Sequence, residues 1–317
     1  MPNSPEKTTS ETGLTIEQKP PNRRGFLKGA AGIVGGVIAS TFIEGVQNPN
    51  RLTEMQHLNL PEGEGIDTGI GHADFQVQPL PLGKEPVTDW EKALVDTQTG
   101  INTRIRGSLD NLPDFHHDYK KHIDVVADDL NNTMFRMSLD FGRLCPKEGE
   151  FNHELMGQYI RMIAYCRKRG LQPMVTLHHW PMPLSFCEIQ NPKDGKIQKG
   201  AWEHPEILKH FRFYIENIIQ YFMDPNKVKA ALESDPEKTF NPQEIDETIE
   251  DGMICKNFIT INEPMMHVLT YWGGDFPPFK RGEFTLAQEV LKKLVTPMKL
   301  PITKCMKLLR FLHKFVP

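Results

Sequence analysis

The sequence predicts an α/β fold built on a parallel sheet. Short apolar or β-branched runs recur at Ile66–Gln78, Met134–Leu139, Pro173–Leu177 and Cys255–Asn262. Stretches of helical apolar period lie between them, at Asp114–Leu130, Phe151–Arg169 and Pro205–Phe222. Strand and helix therefore alternate, which is the pattern of parallel rather than hairpin pairing.

The elements can be justified in chain order. Ile66–Gln78 mixes apolar and small residues and reads as a first strand running into a loop. Pro79–Pro113 is rich in turn residues, with a short helix near Asp89–Val95. Phe115, Tyr119, Ile123, Val126, Ala127 and Leu130 are spaced as one face of a helix. Met134–Leu139 is the second strand and carries Arg136, which in a buried strand needs an anionic partner. Phe151–Arg169 is an amphipathic helix that Gly170 stops. The third strand ends in His178-His179-Trp180-Pro181. Asp224–Asp251 is acidic and rich in Lys, Pro and Asn, so it reads as an insertion (about 224–252) with a solvated helical face. Beyond Pro264, Tyr271–Pro278 is a loop, while Thr285–Val295 and Ile302–Phe315 have helical spacing.

The first fifty residues differ in kind. Residues 1–21 are polar and read as disordered. Asn22-Arg23-Arg24-Gly25-Phe26-Leu27-Lys28 then precedes a short Gly/Ala-rich apolar run ending near Ile43. A charged region before such a run reads as an export signal of twin-arginine type, implying a periplasmic or extracellular destination. The run is too short for a comfortable membrane span. A net charge of −4 argues against a nucleic-acid partner. The cysteines Cys145, Cys166, Cys187, Cys255 and Cys305 are odd in number and form no CxxC pair, so free thiols are expected.

Chemistry concentrates at strand ends. Phe258-Ile259-Thr260-Ile261 leads into Asn262-Glu263-Pro264, and the proline stops the strand. A carboxyl at the C-terminal end of a parallel strand stands where general acid/base groups work, with an amide beside it to hold a hydroxyl. The same residues would also suit a solvated strand end. Adjacent histidines at 178 and 179 point to opposite faces, so only one can face a site and they are not a metal pair. Trp202 and Trp272 read as packing or outer rim.

These motifs, in this order, resemble glycoside hydrolase family 1, the β-glucosidase and β-galactosidase family. Ala73-Asp74-Phe75-Gln76-Val77-Gln78 is similar to that family's first-strand motif, and Thr88-Asp89-Trp90 to a stretch after it. Phe135-Arg136-Met137-Ser138 with Arg143 and Pro146 resembles its second strand. Pro173–Pro183 is close to its third strand, and Thr260-Ile261-Asn262-Glu263-Pro264 matches its acid/base motif. The resemblance covers about Ile66–Phe279.

The resemblance implies a (β/α)8 TIM barrel, of which this chain (about 60–317) carries the first four βα units. It implies hydrolysis of β-glycosides or oligosaccharides by a retaining two-carboxylate mechanism, with no cofactor and no metal. Glu263 would be the acid/base; Gln76, His179 and Asn262 would hold sugar hydroxyls; Trp180 would wall the subsite; Arg136 would sit beside the nucleophile. Gln78 stands where the family commonly has Glu, and Phe141 where it commonly has Trp. No nucleophile motif follows Pro264, and fifty-four residues after Glu263 are too few for four more units. The alternative expectation is a non-catalytic remnant that binds sugars or self-associates through open barrel edges.

Overall fold

The computed structural model describes residues 67–79, 85–98, 112–189, 197–250 and 254–295. The expected leader and the expected helix at 302–315 lie outside them, as does Cys305.

Four parallel strands form the main sheet: β1 (Gly69–Gly71), β2 (Met134–Ser138), β3 (Gln172–Thr176) and β4 (Asn257–Ile259), side by side in chain order. The strand at the acid/base motif is shorter than expected, because Ile261 and Asn262 already turn away as a bend. β1 is also short. Gly69 and Gly71 bring it close to β2: a Cβ on either would lie 2.9 Å from Met134 or Arg136. Downstream, Asp74–Val77 is one helical turn (α1) rather than strand or loop. Its alternating apolar pattern imitates a strand, but Ala73 and Asp74 accept backbone hydrogen bonds from Gln76 and Gln78.

Helices fill the crossovers. α2 spans Asp89–Gln98, and Thr88 and Glu91 cap it reciprocally through side chain and backbone. α3 spans Phe115–Asp124 and runs into a π-turn over Val125–Asp129. α4 is Phe141–Leu144. α5 is His153–Lys168, started by the Asn152 side chain and closed at Gly170, whose φ of +77° suits glycine. α6 is Ile207–Met223.

α7 (Pro225–Glu233) and α8 (Pro242–Glu250) correct the expectation of a merely solvated insertion. Val228, Ala231 and Leu232 form a buried stripe on α7, and Phe240 and Ile245 are buried as well. Lys and Glu on the outer faces mask this stripe in the sequence. A short helix, α9 (Pro264–Thr270), follows β4, and a last helix covers 284–295.

The core lies between the sheet and this helical layer. Phe135, Met137 and Val175 point into it, against Ile160, Ile163 and Tyr214. Met134, Arg136, Met174 and Thr176 alternate with them and face the other side of the sheet. That second face carries the site. Cys145, Cys166 and Cys255 are buried free thiols and Cys187 is partly buried and free. No helix among the described residues is long and apolar enough to cross a membrane.

Candidate active site

The C-terminal ends of the four strands converge on one rim. A cavity of about 440 Å³ opens over the second face, lined by Gly71, His72, Gln76, Arg136, Met174 and His179 among others. Three of the expected site residues, Gln76, Arg136 and His179, thus share one wall. α1 presents Gln76, and the Asp74 N–H donates to Ser138 Oγ (2.8 Å), which ties that turn to the end of β2.

Arg136 reaches across the strands. Its Nε donates to Thr176 Oγ1 (2.9 Å) and its Nη2 to Asn262 Oδ1 (2.5 Å). The expected anionic partner is not in contact: among the described residues no carboxylate forms an ion pair with it. Burial pulls the guanidinium below its ordinary value, opposed by Glu263. Asn262 is anchored again by its own N–H, which donates to the His178 carbonyl (2.9 Å). Its amide oxygen is engaged by Arg136, so its NH₂ is the group left for a ligand.

Glu263 is exposed and sits at a left-handed φ of +42°, ahead of α9. Trp180 has φ +77°. Non-glycine residues in this region carry strain of order 1–3 kcal/mol and concentrate at functional sites. Both fall in motifs singled out from the sequence, but nothing in residue type announces the backbone conformation.

The two histidines divide as alternation requires. His178 is fully buried and stacks on His267 (5.0 Å, 28°); burial holds it well below its ordinary value. His179 faces the cavity, where burial followed by Arg136 lowers it to about 4. It is therefore neutral at pH 7, with one ring nitrogen to donate and one to accept.

Trp180 lies beside this cavity rather than among its lining residues. It stacks on Trp90 (5.6 Å, 26°) and contacts Phe75 and Phe276. Trp202 is buried and Trp272 is 52% exposed, matching the packing and rim expectations. Phe276 and His72 were not anticipated. Each stands alone in the sequence, without the spacing that signals a motif.

A buried ionic hub supports the rim from below. Arg143 Nε donates to Glu91 Oε1 (2.8 Å), and Asp140 and Asp74 lie 3.8 Å from the guanidinium. Asp74 also bonds His116 (2.6 Å). Burial raises Asp74, but His116 and Arg143 outweigh it and hold the carboxyl below its ordinary value. Asp140, with burial dominant over Arg143, is pushed up to about 7. Gln78, one residue past α1, bonds Asp114 and the His116 N–H.

With this geometry in place, comparison with known proteins is informative. Residues 90–241 match the model of glycosyl hydrolase family 1. That span includes Arg136, His179 and Trp180; Gln76, Asn262 and Glu263 lie outside it. The chain is 29% identical over 181 residues to a 6-phospho-beta-galactosidase of Lacticaseibacillus rhamnosus, covering 56% of this chain and 30% of that protein. It is 24% identical over 163 residues to beta-glucosidase A of Thermotoga maritima, covering 51% and 33%. Among solved structures, a family 1 b-glucosidase from Thermotoga maritima in complex with isofagomine lactam has a similar fold. The TM-score is 0.56 at 20% identity, covering 76% of this chain and 45% of that one. The chain spans about a third or less of the length of the first curated relatives it matches.

Proposed function

The likeness to glycosyl hydrolase family 1, shown over residues 90–241, is the premise from which we propose that this chain carries the acid/base half of a β-glycoside-hydrolysing site. The observation that carries the reading is the convergence of Gln76, Arg136 and His179 on one cavity, with Asn262 tied to Arg136 and Glu263 next in sequence.

The chemistry follows from the groups. Gln76, neutral His179 and the Asn262 NH₂ supply both donors and acceptors, which the hydroxyls of a sugar require. Glu263 gives its proton to the departing glycosidic oxygen and later takes one from water. A retaining reaction needs a second carboxyl about 5–5.5 Å away as nucleophile. In this reading that group comes from outside the described residues, and Arg136 presents the positive charge it meets. The Trp90–Trp180 stack forms an apolar shoulder suited to a ring face or aglycone. Export by a twin-arginine route belongs to the same proposal and rests on the motif at Arg23-Arg24.

The test is hydrolysis of a β-glycoside with a poor leaving group by purified chain, beside Glu263→Gln. The expected result is turnover that falls by about 10²–10⁴-fold in the variant. Equal turnover by both proteins removes Glu263 from the chemistry. Because no carboxylate pairs with Arg136 among the described residues, a second reading is a sugar-binding remnant. It is favoured if calorimetry detects binding of glucose or a simple β-glycoside while neither protein turns over.

A further inference from the structure

We propose that Asp89 is a positioning residue for the candidate site: by holding Met182 it fixes the turn of backbone that carries His179 and Trp180. The role rests on the glycoside reading for its use, whereas the geometry rests on buried contacts alone.

The chain after β3 is pinned at two places. On the strand side, the Leu177 N–H donates to Ile259 O (2.8 Å) and the Asn262 N–H to His178 O (2.9 Å). Downstream, Val87–Asp89 runs antiparallel to Met182–Leu184, with Thr88 bridged to Pro183. There the Leu184 N–H donates to Val87 O (2.8 Å) and the Asp89 N–H to Met182 O (3.0 Å). Between the two pins lie His179, Trp180 and Pro181.

Asp89 supplies what this short ladder lacks. α2 begins at Asp89, so the chain coils away and offers no strand carbonyl opposite the Met182 N–H. The Asp89 side chain takes that place, with Oδ1 accepting from the Met182 N–H at 2.9 Å. Both residues are buried, so bulk water does not reach the pair, and an N–H left without its acceptor there is costly. Gly142 packs straight onto the ladder. A Cβ on it would lie 2.5 Å from Thr88 Cγ2 and 3.3 Å from the Met182 carbonyl.

The turn between the pins needs such support. Trp180 has a left-handed φ, and a non-glycine residue holds that conformation only where its surroundings over-determine it. Its own polar atom gives no help: among the described residues Trp180 Nε1 and His179 Nδ1 are buried without a hydrogen-bond partner. The indole rests on Trp90, and Trp90 follows Asp89 directly in α2. One residue therefore sets both faces of the stack, Trp90 through the start of the helix and Trp180 through Met182. Burial raises the Asp89 carboxyl to about 8. It is mostly neutral at pH 7, so asparagine matches it in shape and charge.

The indole N–H resonances of the full chain, read by nitrogen-15 NMR at pH 7 without any sugar, test this. Trp90→Phe and Trp180→Phe assign the two signals of the stack, which the facing rings displace from the position of a free indole. In Asp89→Ala both signals are expected to move toward that free position. Asp89→Asn, which keeps an oxygen for the Met182 N–H, is expected to leave them in place. If the alanine variant does not melt cooperatively, Asp89→Ser, whose hydroxyl falls an atom short, takes its place. Ile245→Ala removes buried packing on α8 and contributes nothing to the ladder, so it controls for loss of stability alone. Unmoved signals in Asp89→Ala or its serine substitute overturn the proposal. So do equal shifts in Asp89→Asn or in Ile245→Ala. No turnover enters this readout: a chain that behaves as expected here but fails the Glu263→Gln comparison loses the glycoside reading and keeps the Asp89 clasp.

Discussion

Replacing Arg143 with methionine is expected to destabilise the fold by about 3–5 kcal/mol at pH 7. The guanidinium is nearly buried and is shared by Glu91, Asp140 and Asp74, themselves almost wholly buried. It also donates to the carbonyls of Gln78 and Pro79. Removing it strands three carboxyls away from water, while methionine keeps most of the packing volume. Arg143→Lys should fall between wild type and methionine, because a single ammonium cannot reproduce the fork. Urea denaturation at pH 7 and pH 5 is the measurement. The deficit should shrink at pH 5, where Asp140 has taken up a proton. A loss below about 1 kcal/mol would mean that Asp74, Asp140 and Glu91 are solvated in solution.

Stability should also peak near neutrality and fall on both sides. Burial holds His72 and His179 down to about 4 and His267 to about 3, and lowers His178 and His210 as well. These groups stay neutral in the fold but charge in the unfolded chain below about 6.5. Their contribution is therefore complete above that pH and is lost as pH falls toward 4. Two acids act the other way. Burial raises Asp89 to about 8 and Asp140 to about 7. Their contribution is complete below the unfolded value near 4 and is lost as pH rises through 7 to 8. Five histidines outnumber two acids, so the acid side is steeper, with a loss on the order of 3 kcal/mol between pH 7 and 5. Melting temperatures from pH 4.5 to 9 would show it. A monotonic rise through pH 9 would count against neutral, buried Asp89 and Asp140.

Much of the sheet was legible because its signals are local. β2, β3 and α5 announce themselves by apolar period, and Asn152 and Gly170 mark the ends of α5. β1 was misjudged in length because its glycines hold it to β2 through backbone alone, leaving no side-chain pattern to read. α1 was missed because three or four residues cannot distinguish a helical turn from alternation. The packed faces of α7 and α8 were hidden by their charged outer faces. At the site, the residues that the family resemblance implied are near one another: Gln76, Arg136 and His179 line one cavity, and Arg136 bonds Asn262. The Arg143 hub was not legible as a hub: Asp140 and Arg143 share one helical turn, but Asp74 and Glu91 lie far from them in sequence and only the fold brings them together. Its closest pair, Asp74 and His116, lies 42 positions apart.

The aromatic stack at the rim also gives the molecule an optical identity. Of the four tryptophans, Trp90 and Trp180 stack at 5.6 Å, Trp202 is shut in against His178 and His267, and Trp272 stands in solvent. Two indoles so close should couple as an exciton pair in circular dichroism, a signal that Trp90→Phe abolishes while emission from Trp202 persists. Acrylamide should quench Trp272 first. A single chromophore set thus reports separately on the shoulder of the cavity, on the core and on the solvated loop after α9.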